Sequence, residues 1–286
     1  MNPIPVLVGV QLITGGTYLV AKLALQEFDP FSLACLRFLI SGIVFVLILK
    51  IIDKLVLPER KDWPLFLWMA LLGGPLNQGF FLFGIRFTYA AHGPLLYATT
   101  PMIVLCLSSA AGLERINVKK GIGVILGFLG VLLVLFDREI SFGSQTLFGD
   151  ALVFIAVILW GLCTLANKKL VKSYPPVQVS GLALSVGGLM FLPVGIPSLI
   201  SQDYARVSAT GILSVLYLAL LTSVVAYLVW SWALVRMDST KVAIYSNLQP
   251  IVAALLGWFF LGETITLNFM IGTAIVIGGV ILTQNG

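Results

Sequence analysis

Charged residues are what this sequence has least of. Of its 286 residues only 10% are charged, whereas 59% are hydrophobic. A soluble domain carries about 25% charged residues, so the composition excludes a soluble globule, and it equally excludes a disordered chain. The three cysteines lie singly in different apolar runs without C-x-x-C spacing, which excludes a disulfide scaffold. The sequence therefore predicts an all-α membrane protein with many spans.

Side chains for catalysis are scarce as well. His92 is the only histidine, and neither H-E-x-x-H nor G-x-S-x-G occurs, so we expect no enzyme, no metal site and no cofactor. We expect His92 at the membrane interface. None of the 12 acidic residues falls near the middle of an apolar run. Without a buried acidic relay, uniport, exchange or export down a gradient is favoured over proton coupling.

The apolar residues form ten runs that are each long enough for a transmembrane helix of about 20 residues. The runs are 5–26, 32–51, 64–86, 92–112, 119–136, 149–168, 177–200, 211–234, 241–261 and 267–284. Helices are expected because lipid cannot satisfy loose backbone polar groups, and continuous runs argue against an alternating β-barrel pattern. The start, Met1 to Val20, is read as a retained first span, since it lacks a basic n-region and a cleavage site.

The basic residues indicate the orientation. Twelve of the 17 Lys and Arg residues lie in connections on the N-terminal side of the ten runs. The positive-inside rule then places both termini in the cytoplasm of a multi-pass inner-membrane protein. The net charge of +5 is explained by these loops, and we expect no nucleic-acid partner.

The two halves of the chain repeat each other. An offset of 149 residues superposes Pro101 on Pro250 and Glu114 on Glu263, and an offset of 146 superposes further pairs. The further pairs are Gly15 with Gly161, Lys22 with Lys168, and Pro30 with Pro176. Because each half has five spans, an odd number, the halves must be inverted relative to each other. We expect two five-helix repeats, residues 1–137 and 138–286, of the kind that builds secondary transporters around a midplane site.

These repeated positions make the sequence resemble a known family. They are Lys22, Pro30, Arg37, Phe38, Pro101, Leu113, Glu114, Gly123 and Gly130 in the first half, and Trp160, Gly161, Pro250, Leu261, Gly262, Glu263, Gly272 and Gly279 in the second. The chain resembles the drug/metabolite transporter superfamily, specifically the ten-span proteins with two EamA domains. One departure is Thr14, where a tryptophan often precedes Gly15. The resemblance implies an inner-membrane transporter, commonly an exporter of amino acids, metabolites or drugs.

Polar and aromatic side chains recur at helical spacing on six of the ten runs. At repeat-related positions they predict a central cavity, although interhelical hydrogen bonding alone is the alternative for any one residue. The predicted substrate-binding residues are Gln11, Thr14, Tyr18, Asn77, Gln78, Tyr97, Trp160, Thr164, Tyr227, Trp230, Tyr245 and Gln249. Their rings suit a substrate with an apolar or aromatic body, and their amides suit its polar end.

The remaining predictions concern bends and charges. Pro75, Pro101 and Pro250 each remove a backbone donor inside a run, and they are read as hinges or static kinks. The fifth and tenth runs contain glycine and few polar residues, which is typical of close helix packing. Structural roles are expected for Lys22, Glu114, Lys168 and Glu263, the two glutamates at the positive end of the next helix. Lys22, Lys168, Arg37 and Arg86 are alternatively sites for a substrate carboxylate, with snorkelling to the interface favoured for the arginines.

Together these patterns predict an alternating-access carrier of small organic solutes in the lipid bilayer. An amino acid or related amphiphilic metabolite is the first substrate class, with export the expected direction. A hydrophobic, drug-like quaternary amine is the second, and a passive channel or lipid scramblase is the rival class. The residues do not determine the oligomeric state.

Overall fold

The structure, a computed structural model, describes residues 2–52, 57–88, 92–135, 144–261 and 266–286. Across those ranges the chain is helical and contains no strand. The α-helices are α1 (Pro3–Gly15), α2 (Thr17–Ala24), α3 (Pro30–Ile51), α4 (Trp63–Leu71), α5 (Asn77–Phe87), α6 (His92–Tyr97), α7 (Thr100–Ala110), α8 (Val118–Leu135), α9 (Ser144–Leu170), α10 (Pro176–Ser201), α11 (Ala209–Leu216), α12 (Ala226–Arg236), α13 (Ser239–Ala243), α14 (Gln249–Leu261) and α15 (Leu267–Gln284). The predicted all-α architecture is confirmed.

Eight helical segments in the described ranges are long and apolar enough to cross a membrane. They are Pro3–Ala24, Pro30–Ile51, Trp63–Phe87, His92–Ala110, Thr146–Leu170, Pro176–Ser201, Ala209–Arg236 and Leu267–Gln284. Each overlaps one of the predicted spans, so the chain is a multi-pass membrane protein. The other two predicted spans, 119–136 and 241–261, coincide with α8 and with α13 to α14.

The first two long helices begin where the sequence supplies a cap. The side chain of Asn2 accepts a hydrogen bond from the Ile4 amide at 3.1 Å, and that of Asp29 accepts one from the Phe31 amide at 2.9 Å. A proline follows each cap, at the first helical position, where its missing N–H costs nothing.

Helices α8 and α15 pack backbone to backbone. A Cβ placed on Gly130 would lie 2.7 Å from the Val276 amide, and one on Gly272 would lie 2.7 Å from the Gly130 carbonyl oxygen. Only glycine allows so close an approach, which agrees with the packing role expected for these two spans.

The helical segments that contain the predicted prolines are interrupted rather than continuous α-helices. Pro75 lies inside a π-helical turn, Leu72–Leu76, and a second π-helix runs over Tyr217–Val225. Pro101 and Pro250 are in the first turns of α7 and α14. Both prolines thus lie inside their predicted spans, at the point where one helical segment ends and the next begins. A helix begins at each of them because a missing N–H is tolerated in the first turn.

Candidate functional site

A cavity lies at the centre of the helices, with walls from both halves of the chain. Its volume is about 110 Å³ by the space open to water-sized spheres, which accommodates several waters or a small organic solute. The lining residues are Val10, Gln11, Thr14, Thr17, Tyr18, Arg37, Asn77, Gln78, Phe81, Tyr97, Thr100, Trp160, Thr222, Ala226, Tyr227, Trp230, Ser246 and Gln249.

Ten of the twelve predicted substrate-binding residues are on this lining, and two are not. Thr164 is buried one helical turn beyond Trp160, and Tyr245 is buried in the hydrophobic core. Tyr245 lies in a 3₁₀ helix, Ile244–Leu248, where residues three apart share a face. Ser246 and Gln249 face the cavity together, and Tyr245, one residue before Ser246, packs in the core instead.

Arg37 carries the only full positive charge among the described residues of the lining, and sequence reasoning had favoured an interfacial position for it. Its side chain is instead 3% exposed. Nε donates to Ser223 Oγ at 2.6 Å, Nη1 to Gln78 Oε1 at 2.6 Å and Nη2 to Thr222 Oγ1 at 3.1 Å. The expectation of snorkelling is wrong because these three neutral oxygens replace the water that an interface would have supplied.

The acceptors of Arg37 are themselves oriented. The hydroxyls of Thr222 and Ser223 both donate to the Leu218 carbonyl oxygen, at 2.8 and 3.0 Å, which leaves their lone pairs for the guanidinium. The wide turn of the π-helix brings both hydroxyls to the same carbonyl. π-Helical turns are often found at functional sites.

A chain of amides extends this network to the neighbouring helices. Gln78 Nε2 donates to Asn77 Oδ1 at 2.7 Å, and Asn77 Nδ2 donates to the Ala156 carbonyl oxygen at 2.6 Å and to Tyr97 Oη at 3.2 Å. The buried amides are thereby satisfied, as burial in an apolar medium requires.

A second hydrogen-bond network lies along another part of the cavity wall. Tyr18 Oη donates to Gln249 Oε1 at 2.9 Å, and Gln249 Nε2 donates to Gln11 Oε1 at 3.0 Å and to Thr14 Oγ1 at 3.2 Å. It joins the first span to α14, so it connects the two halves of the chain.

Aromatic rings form the apolar part of the wall. Trp160 makes a T-shaped contact with Tyr227, with centroids 5.1 Å apart, and lies 5.4 Å from the ring of Trp230. Tyr18, Phe81 and Tyr97 form a second set of edge-to-face contacts. A solute in the cavity therefore meets aromatic surface and amide groups together, as in most small-molecule sites.

Two polar atoms on the lining have no hydrogen-bond partner in the described part of the chain. They are Trp230 Nε1 and Thr100 Oγ1. A buried donor without an acceptor costs about 1–3 kcal/mol. The described residues contain no group of three His, Cys, Asp or Glu side chains suited to a metal.

The two repeat-related lysines bind helix ends. Lys22 Nζ donates to the Thr88 carbonyl oxygen at 3.2 Å, and Lys168 Nζ donates to the Leu234 and Met237 carbonyl oxygens at 2.7 and 2.8 Å. An ammonium group at carbonyls that end a helix is favoured by the helix dipole.

His92 is part of a buried cluster that sequence reasoning missed. The residue is the first of the span His92–Ala110 and is 1% exposed. Its Nδ1 lies 2.8 Å from Asp150 Oδ1, which also accepts a hydrogen bond from the Thr88 hydroxyl at 2.5 Å. Asp150 is near the start of α9, 58 residues away from His92, and no local pattern in the sequence links them.

We expect Asp150→Ala to destabilise the protein. The Thr88 hydroxyl and His92 lose their shared acceptor, and a buried donor without one costs about 1–3 kcal/mol. In a chain of this size that corresponds to a Tm about 2–10 °C lower in detergent. Asp203→Ala, which removes an exposed ion pair with Arg206, is the control and should move the Tm by no more than about 2 °C. Equal Tm values for the two variants would contradict a structural role for the cluster.

Glu114 is bound to a different helix from the one expected. Its Oε1 accepts a hydrogen bond from the Thr240 amide at 3.1 Å, in the first turn of α13 rather than of the next helix, α8. Lys120 Nζ lies 3.7 Å from Glu114 Oε2 and 2.5 Å from Asp238 Oδ2. Glu263, the predicted counterpart, lies outside the described residues.

Comparison with known proteins identifies relatives over nearly the whole chain. The profile of the EamA-like transporter family matches residues 2–136 and again residues 147–284. A protein of Archaeoglobus fulgidus described as an uncharacterized transporter is 31% identical over 95% of this chain and 93% of its own length. A protein of Salmonella typhimurium described as a probable amino-acid metabolite efflux pump is 28% identical over 97% of this chain and 93% of its own length.

One solved structure shares the fold. It superposes with a TM-score of 0.80 at 18% sequence identity, covering 98% of this chain and 96% of the other. At this identity the similarity concerns the fold alone.

Proposed function

Because the chain belongs to the EamA-like transporter family, we propose that it carries small organic metabolites across the inner membrane by alternating access, in the direction of export. The observation that carries this proposal is the central cavity, whose walls come from both halves of the chain. A site between two halves is open to either side when the halves rock against each other.

Reciprocal contacts support the proposal that residues 1–137 and 138–286 are inverted repeats. A Cβ on Gly15 would lie 2.6 Å from Val252 Cβ, and a Cβ on Gly161 would lie 2.9 Å from Ile103 Cγ2. The offsets of 146 and 149 residues relate Gly15 to Gly161 and Ile103 to Val252. The equivalent glycine of each half therefore packs against the equivalent helix of the other half. A two-fold axis between the halves produces this arrangement.

The lysine contacts follow the same relation. Lys22 binds the Thr88 carbonyl oxygen and Lys168 binds that of Met237, and the two offsets relate both the lysines and their acceptors. These contacts support ten spans arranged as five and five.

Helix breaks at equivalent places support a hinge function for the prolines. The π-helical turn around Pro75 lies at the same position in the first half as the second π-helix does in the other. The helix also breaks just before Pro101 and just before Pro250. Discontinuous helices at the midplane are typical of transporters in which one repeat moves against the other.

The substrate class rests on the mixture of groups in the cavity and on one relative. Rings from Trp160, Tyr227 and Trp230 suit an apolar body, and amides such as Gln249 suit a polar end. The relative described as a probable amino-acid metabolite efflux pump supports amino acids or related amphiphiles. The aromatic rings are the one observation that favours a quaternary amine as the alternative, because cations bind to ring faces.

Counterflow in proteoliposomes tests the proposed function. Vesicles containing the protein are loaded with one unlabelled amino acid and diluted into its labelled form, with amino acids, nucleosides and quaternary amines as the panel. A carrier accumulates label transiently because the internal substrate drives exchange. If the label instead equilibrates without a transient overshoot, and does so equally fast in protein-containing vesicles that hold no internal substrate, the protein behaves as a channel. That result would contradict the proposal.

A further inference from the structure

We propose that Arg37 is the binding site for a carboxylate group of the transported solute. This inference rests on the proposed function and names the chemistry that the cavity recognises. Arg37 lines the cavity, is almost fully buried and belongs to α3, one of the candidate membrane spans. An ionisable side chain at such a place is unfavourable unless it has a partner.

Among the residues that the structure describes, none supplies a negative partner. The groups bonded to the guanidinium are the neutral oxygens of Gln78, Thr222 and Ser223, and in the described ranges no carboxylate forms an ion pair with it. Neutral hydrogen bonds satisfy donors but leave the charge uncompensated. A buried charge without a counter-charge costs several kcal/mol, so an incoming anion regains free energy that a neutral or cationic solute cannot.

The guanidinium also has donors to offer. It carries five N–H groups, and the hydrogen bonds to Ser223, Gln78 and Thr222 engage three different nitrogen atoms. That count leaves one N–H on each terminal nitrogen for a further acceptor, and a carboxylate is the acceptor that a guanidinium binds most strongly. The three existing bonds hold the guanidinium in place, so little conformational entropy is lost on binding.

The rest of the cavity fits the same ligand. The rings of Trp160, Tyr227 and Trp230 are on the lining and suit an apolar body. A cationic solute would face the Arg37 charge. Small carboxylates with an apolar body, amino acids included, are therefore favoured over quaternary amines.

Matched pairs of acid and amide test the carboxylate site on the wild-type protein. The pairs are leucine with leucinamide, phenylalanine with phenylalaninamide, and 4-methylpentanoate with 4-methylpentanamide. Binding is measured by thermal stabilisation in detergent. We expect at least one acid to bind tenfold or more tightly than its amide. Equal or tighter binding of every amide, or no binding of any acid, would overturn the proposal.

Variants of Arg37 then assign the preference to this residue. In Arg37→Gln the ratio of acid to amide affinity should fall to within about twofold, because the amide side chain keeps hydrogen bonds but not the charge. Arg86→Gln, at an exposed arginine, should keep the wild-type ratio. An unchanged ratio in Arg37→Gln contradicts the proposal. If that variant does not fold, the wild-type ratio decides alone.

Counterflow separates this proposal from the proposed function. If amides or amines are exchanged as rapidly as acids, the carrier function stands and the carboxylate site does not. If no compound of the panel is exchanged, the proposed function fails.

Discussion

Gly279→Ala is expected to lower the Tm of the protein by about 2–12 °C. A Cβ at this position would lie 2.6 Å from the Gly123 carbonyl oxygen and 2.6 Å from the Gly127 amide. Both are backbone atoms of α8, so the helices must separate to admit the methyl group. Overpacking of this kind costs about 1–3 kcal/mol, and each kcal/mol corresponds to about 2–4 °C in a chain of this size.

The neighbouring glycine provides a matched control of the opposite sign. A Cβ on Gly278 meets no atom within 4 Å, so Gly278→Ala adds no contact. Alanine is a better helix former than glycine by about 1 kcal/mol. Gly278→Ala should therefore leave the Tm unchanged or raise it slightly. Thermal unfolding of both variants in one detergent measures the difference, and a Gly279→Ala protein as stable as Gly278→Ala would contradict the close packing of α8 and α15.

Trp160→Ala is expected to lower the counterflow rate at least tenfold per folded molecule. The indole lines the cavity and contacts the rings of Tyr227 and Trp230, which are on α12. Tenfold corresponds to about 1.4 kcal/mol, a loss that one aromatic contact and its buried area can supply. Trp160→Phe keeps a ring and should recover part of the rate.

Trp68→Ala is the matched control, because it removes a tryptophan that does not line the cavity. Trp68 is 58% exposed on the outer surface and is not among the residues that line the cavity. Its counterflow rate should match that of the wild type. If Trp160→Ala, purified as a monodisperse and folded protein, exchanges substrate as fast as Trp68→Ala, the cavity is not the substrate site.

The periodicity of the sequence predicted the helices and most of the cavity. Apolar runs bounded by charge and proline give the spans to within a few residues, because lipid demands continuous helices of fixed length. Gln11, Thr14 and Tyr18 were found on one face because they follow the helical repeat, and their equivalents in the second half followed from the offset. Ten of the twelve predicted residues are on the lining for this reason.

What periodicity missed depends on irregular backbone and on long-range contacts. Tyr245 was misplaced because it adjoins Ser246 in the sequence, yet it packs in the core while Ser246 and Gln249 face the cavity. Arg37 was expected at the interface because its acceptors Thr222 and Ser223 are 185 and 186 residues away. The hydrophobic pattern of a sequence predicts which residues avoid water. Whether a charged side chain is buried depends on hydrogen-bond partners that come together only in the folded chain.

The most direct test of the account is whether the cavity opens to both sides of the membrane. Ala226 lines the cavity and is small, so Ala226→Cys, in a background with the three native cysteines changed to serine, reports its accessibility. Leu189→Cys, on the outer surface within α10, is the control. Membrane-impermeant maleimide is added to one side or the other of oriented vesicles. We expect modification of residue 226 from both sides, slowed by an exchanged substrate, and little modification of residue 189. Modification from one side only, or at a rate that no exchanged substrate alters, would contradict it.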